Sequence, residues 1–305
     1  MAAHVVDGQG VAGGAPGSTL TPPRTLPSVE GYEVRRQLGE TAASDVYLAA
    51  HVASGVLRTL AVQRGETDPA AVRRIVREVL EASRVKHPAV ALVDGVGTTR
   101  DGRLYVATAY VEGTSLAELL ESEGHLPARR AVQIARRAAD ALEAAHKHGV
   151  LHGDLTPDHI IVGPAGADGV EPVGVTGFGM FTARTGSPTP VAPAKPARPY
   201  ASPERLLGGA LDARSDVFSL ASIVLHALSG NAPPPPRAST GRGTTPSSSM
   251  MAIRPGARLA PAQVLLAARA AEPERRYPSA SVFRDTLAAS FGDAEEGRRT
   301  PEVAR

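Results

Sequence analysis

His152-Gly153-Asp154-Leu155-Thr156-Pro157 lies between a long helical stretch, residues 127–148, and a β-type run at 160–162. Alone the hexapeptide is a weak signal, and its weight comes from what flanks it. The preceding helix carries proline near its first turn and Gly149 as its stop. Before it comes a shorter helical stretch at 116–122. Further upstream, Val34, Val46, Tyr47, Leu48, Leu57, Leu60 and Val62 fall in short β-type runs separated by turn residues, which predicts an antiparallel sheet. Residues 69–85 then have helical spacing, with Val72, Ile75, Val76, Val79 and Leu80 as one apolar stripe. Strand-like runs at 90–96 and 104–111 complete a strand-rich first part, followed by a helix-rich second part.

Composition bounds the reading. With 305 residues, 42% hydrophobic and 21% charged, the chain is long enough for two lobes around a sizeable core. Basic residues exceed acidic ones by only 33 to 31, so no field of one sign argues for a nucleic-acid partner. Cysteine is absent, which excludes disulfides and thiolate metal sites, and the histidines form no ligand-like cluster, so no protein-held metal is expected. The longest apolar stretch, 217–228, is short of the roughly 20 residues of a membrane span and predicts a buried core helix. Residues 1–20 lack the basic start and apolar core of a secretory signal, and the expected location is cytoplasmic. Residues 1–30 read as a disordered arm, 182–199 and about 231–256 as Pro-rich loops, and 291–305 as a disordered tail. Pro233-Pro234-Pro235-Pro236 reads as linker rather than as a polyproline ligand.

The order of the remaining motifs carries a resemblance. Leu38-Gly39 with Val46-Tyr47-Leu48-Ala49, Leu60-Ala61-Val62-Gln63, Glu78, His87-Pro88, the hexapeptide at 152–157, Tyr200-Ala201-Ser202-Pro203-Glu204, Arg214-Ser215-Asp216-Val217-Phe218-Ser219-Leu220 and Arg276-Tyr277-Pro278 follow one another along residues 32–290. In this order they resemble the bacterial eukaryotic-type Ser/Thr protein kinases. The resemblance implies an α+β, bilobal protein-kinase-like fold. Its N-lobe, 32–111, is an antiparallel β-sheet with one helix, and its C-lobe, 112–290, is mainly helical.

The same resemblance identifies departures at the positions that serve phosphoryl transfer, which depends on positioning and charge neutralisation. Gln63 stands where a lysine would meet the phosphates and Glu78. Its amide donates a hydrogen bond but has no charge. Gly177 stands where an aspartate precedes Phe178, and His159 where an asparagine would be the second metal ligand. Glycine has no side-chain oxygen, and imidazole suits a hard cation poorly. Asp158, next to His159, is expected to point away. Gly153 replaces an arginine that would pair with a phosphorylated loop, and Thr156 a lysine that would touch the γ-phosphate. Thr41 and Ser44 replace glycines of the phosphate loop, and Ala197 stands at a usual threonine. Asp154 alone keeps the family's base.

These departures imply a catalytically impaired member, a pseudokinase. It would act as a regulatory or scaffolding module on a protein partner, either an active kinase or another phospho-signalling component. The alternative is a weak Ser/Thr kinase using Asp154. For nucleotide, the resemblance implies a base pocket of Gly39, Val46, Ala61, Thr108, Ala109, Val111 and Ile161. No cofactor is expected to be required, with ATP binding independent of metal. His152, Phe178, Glu204, Asp216 and Arg276, together with Glu78, are implied to hold the architecture. Thr182, Thr185, Ser187 and Thr189 are candidate phosphoacceptors, outweighed by a reading as flexible filler.

Overall fold

The computed structural model describes residues 26–40, 44–65, 69–167, 169–178, 198–236 and 260–296. Thr41, Ala197, the four candidate phosphoacceptors and most of the two Pro-rich loops lie outside the described residues.

The first lobe is a five-stranded antiparallel sheet in the order β1-β2-β3-β5-β4, formed by β1 (Tyr32–Glu40), β2 (Ser44–His51), β3 (Leu57–Gln63), β4 (Val93–Thr98) and β5 (Leu104–Ala109). Helix α1 (Pro69–Ala82) packs against β4. Tyr47, Ala49, Leu60, Val62 and Ala107 form this lobe's own buried cluster, and Val29 joins it. Packed structure therefore starts before Tyr32, inside the stretch expected to be a disordered arm. On α1, Val79 is buried but Leu80 is 57% exposed, so Leu80 drops out of the expected stripe. Adjacent helical residues differ by about 100° around the axis, and only one of the pair can face the sheet. Strand β4 begins at Val93 rather than at 90, and β5 ends at Ala109 rather than at 111.

The second lobe is helical. It contains α2 (Leu116–Glu123), α3 (Ala128–His146), α4 (Pro203–Leu206), α5 (Ala213–Ser229), α6 (Pro261–Ala268) and α7 (Ala280–Glu296). A small sheet orders β6 (Thr114–Ser115), β7 (Ile160–Val162) and β8 (Val173–Val175) as β6-β7-β8. Helix α3 buries Ala131, Ile134, Ala135, Ala138, Leu142 and Ala145, spaced at three and four along one face, against α5 and α7. Helix α5 is the predicted core helix and buries eleven of its residues. An element apolar on all sides belongs inside, and each fully buried Leu, Ile or Phe there contributes roughly 1.5–3 kcal/mol. Asp212 caps its start by accepting from the Arg214 amide at 2.7 Å, and Gly230 closes its end at φ 74°.

Two further readings are corrected. Helix α7 continues to Glu296, past the expected start of the tail at 291. The polyproline run is not simple linker, since Pro233 is buried and Arg269 donates to the Pro234 carbonyl at 3.3 Å.

Candidate functional site

A cleft of ≈ 440 Å³ opens between the two sheets. Strand register builds its N-lobe side: Val46 pairs with Ala61, and Ala61 with Val106, so β2 and β3 present small apolar side chains together. Ile161 from β7 lines the C-lobe side. Of the sequence candidates, Gly39, Val46, Ala61, Gln63, Thr108, Val111, Ile161, His152, Asp154, His159 and Gly177 all line this cleft. Ala109, Gly153 and Thr156 do not. Ala109 turns its amide to the Leu92 carbonyl at 2.7 Å, and the other two are buried. Glu78 lies on α1, and its side chain is outside the described set.

The loop 152–159 hangs from α5. Asp216, 1% exposed, accepts the amides of His152 and Gly153 at 2.9 and 2.8 Å, and His146 Nε2 at 2.7 Å. Burial alone would raise its pKa, but the hydrogen bond and charge of His146 and the loop amides hold it below the usual carboxylate value. Gly153 adopts φ 71°, a left-handed conformation that an arginine would reach only with strain. The loop therefore takes this shape more readily with glycine than with the family's arginine.

His152 is 1% exposed, and burial lowers its pKa. As neutral imidazole it donates from Nε2 to the Thr176 carbonyl at 2.9 Å. Its ring meets Phe178 edge-on at 5.1 Å and His159 edge-on at 4.9 Å, so three rings form a continuous ladder. The buried Thr156 hydroxyl donates to Asp158 Oδ2 at 3.2 Å. It has one proton, so its 3.1 Å contact with His159 Nδ1 is one in which the ring donates. Thr156 thus serves the interior of the loop, away from the phosphate position that a longer lysine would reach.

Gly177 and His159 share one space. A Cβ built on Gly177 would lie 2.8 Å from His159 Cδ2 and 3.1 Å from Nε2, and Gly177 itself has φ +89°. The imidazole stands where a side chain at 177 would have to begin. Asp158, expected to point away, lines the cleft instead, because the short 3-10 turn Pro157–His159 and the Thr156 hydroxyl carry its carboxylate inward.

Several lining residues were not singled out in the sequence, among them Arg36, Glu40 and Glu118. Glu118 caps α2 by accepting from the Ser115 amide and hydroxyl, each at 2.9 Å, a capping-box pattern legible in Ser115-x-x-Glu118. Glu40 pairs with Arg64 at 2.6 Å, and Arg64 also holds the buried Asp45, tying the ends of the β1–β2 hairpin together. The charged lining is Arg36 against Glu40, Glu118, Asp154 and Asp158. Away from the cleft, Arg276 grips Glu204 with two bonds of 2.7 and 2.8 Å, joined by Ser215 at 2.6 Å. Burial works against ionisation of Glu204, but these bonds hold its carboxyl down at about 2.

Residues 32–263 match the protein kinase domain family. The serine/threonine-protein kinase PknB of Mycolicibacterium smegmatis is 34% identical over 226 residues, covering 70% of this chain and 34% of that protein. The serine/threonine-protein kinase PknH of Mycobacterium tuberculosis is 32% identical over 259 residues, covering 82% of this chain and 40% of that protein. The chain thus spans well under half the length of these relatives.

This similarity corrects the expectation that no cofactor is required and that ATP binds without metal. Protein kinases use ATP with a divalent metal ion, Mg or Mn. The physical reason is plain in this cleft, where a polyanionic triphosphate would meet four carboxylates and needs a cation between. Among the described residues no three His, Asp or Glu side chains form a cage. Magnesium is commonly held by one or two carboxylates plus substrate phosphates. Asp154 and Asp158 are the residues here that would hold it, and the ion would supply charge neutralisation. Gly177 offers no side-chain oxygen.

Proposed function

Because this chain belongs to the protein kinase domain family, we propose that it is a kinase-fold protein with impaired phosphotransfer, acting as a regulatory or scaffolding module in bacterial Ser/Thr phosphorylation signalling. One observation carries the reading: the position before Phe178 is a glycine whose side-chain space is taken by the His159 ring. The aspartate expected there is not merely substituted, since its volume is occupied by the residue at the other expected ligand position. Gln63 and Thr156 remove two further charges from the phosphate end. Losing one preorganised contact of this kind typically costs 10²–10³ in rate, about 2.7–4 kcal/mol. The losses are not additive, but partial summation leaves little ordinary turnover.

What survives is mechanical. The loop anchor at Asp216, the ring ladder through Phe178 and the Glu204–Arg276 pair maintain a kinase-like surface without the chemistry. That combination suits a protein read by a partner, an active kinase or another phospho-signalling component. A cytoplasmic location fits this role, and no helix among the described residues is long and apolar enough to cross a membrane.

A second reading has its own support. Asp158 lines the cleft beside Asp154, so a weak kinase could use Asp154 as base with a rearranged metal site. Transfer of labelled γ-phosphate from ATP with Mg or Mn separates the two. The first reading predicts no incorporation above that of Asp154→Asn. Metal-dependent incorporation that this substitution abolishes in a folded variant would establish the second.

A further inference from the structure

If phosphotransfer is gone, Asp154 is no longer needed as a base, and a buried cation next to it supplies a structural reason for the carboxylate beside its place in a metal site. Arg205 on α4 is 4% exposed, and its Nη2 lies 3.8 Å from Asp154 Oδ1, itself 13% exposed. We propose that Asp154 and Arg205 form a charge clasp joining the loop 152–159 to α4, and that the clasp is what requires the carboxylate. The inference rests on the reading above that phosphotransfer is impaired.

A guanidinium cannot shed its charge, and burying one without an anion is strongly unfavourable. Asp154 is well placed to neutralise it, because the two residues before it are pinned to Asp216 and the carboxylate cannot drift. The separation exceeds hydrogen-bond length, so the attraction is one of charge rather than of a shared proton. Both residues make additional contacts.

On α4, adjacent side chains serve different elements. Glu204 binds Arg276 and Ser215, while Arg205 meets Asp154. The helix is therefore tied both to the C-lobe base and to the loop, although it has only four residues and little stability of its own. Gly153 has no side chain with which to tie this region from the loop, and the Arg205 clasp does so from the opposite partner with no phosphate involved. The surface around Leu207, 57% exposed, is then presented in one state.

The test is a double-variant cycle on the full chain, read without ATP. Asp154→Asn removes this negative charge from beside the buried guanidinium and is expected to lower the thermal midpoint by about 5 °C or more. It should also speed amide exchange at 203–207. Arg205→Met alone costs less, because Asp154 reaches solvent more easily. The pair Asp154→Asn with Arg205→Met recovers most of the loss, which separates the clasp from the residues' other contacts. A midpoint for Asp154→Asn within about 1 °C of wild type would overturn the clasp, as would single losses that simply add in the pair. Phosphotransfer by the wild-type chain would strike the proposed function, whereas the coupling measured in the cycle stands or falls independently of it.

Discussion

Restoring the aspartate before Phe178 should damage this protein rather than repair it. In Gly177→Asp the new Cβ starts 2.8 Å from His159 Cδ2, closer than carbon atoms tolerate, on a backbone at φ +89°. A non-glycine residue in that region costs on the order of 1–2 kcal/mol. The His159 ring must also leave, giving up its edge-on contact with His152, worth about 0.5–1.5 kcal/mol, and its Thr156 hydrogen bond, worth a similar amount. A total penalty of about 2–5 kcal/mol is expected, and by the scaling for large domains the thermal midpoint falls by roughly 4–20 °C. Combining Gly177→Asp with His159→Asn empties the contested space, so the double variant should be more stable than Gly177→Asp alone by about 1 kcal/mol or more. Differential scanning fluorimetry with urea unfolding as a second probe measures wild type and both variants. A Gly177→Asp midpoint unchanged from wild type, or no relief from His159→Asn, would refute the shared-space reasoning.

Other perturbations test the frame and the cleft. Asp216→Ala leaves the amides of His152 and Gly153 and the His146 ring without their acceptor, and a loss of about 3 kcal/mol or more in urea unfolding is expected. Glu204→Gln strips the counter-charge from the Arg276 side chain, which is 0% exposed, at an expected cost near 3 kcal/mol. Since the Glu204 carboxyl is held at about 2 against an ordinary 4.5, its contribution is full above pH 4.5 and is lost as pH falls toward 2. Glu204→Gln should flatten the stability profile in that window, and an unchanged profile would count against the assignment. Gln63→Lys places a cation in a cleft lined by four carboxylates. About tenfold tighter binding of Mg·ATP, with adenosine unaffected, is expected by calorimetry.

Much of this was legible because the residues that define the fold are punctuation or periodicity. The apolar stretch inside α5, the spacing along α3 and the Gly149 stop are local facts that tertiary packing had no reason to override. The site was legible only as positions. That Gln63, His159 and Gly177 converge follows from motif order, but that the His159 ring fills the Gly177 space depends on a φ of +89° and on Thr156 orienting the imidazole. Asp158 illustrates the limit most clearly. Sequence adjacency to His159 suggested an opposite direction, whereas a 3-10 turn puts both side chains on the cleft. Arg205 left no trace in any motif, since its burial and its carboxylate partner come from elements 51 positions apart by residue number, 154 and 205. Glu40 and Arg64 likewise meet only because β1, β2 and β3 are neighbours.

On the function proposed above, we attribute the loss of phosphotransfer that it predicts to missing phosphate and metal groups at four positions rather than to a distorted fold. The deciding quantity is the rate of labelled γ-phosphate transfer with Mg by wild type and by the variant combining Gln63→Lys, Thr156→Lys, His159→Asn and Gly177→Asp, each shown to be folded. A gain of about 100-fold or more is expected for the combined variant, the lower bound set by one recovered electrostatic contact. A wild-type rate already comparable to that of the folded combined variant would contradict this attribution.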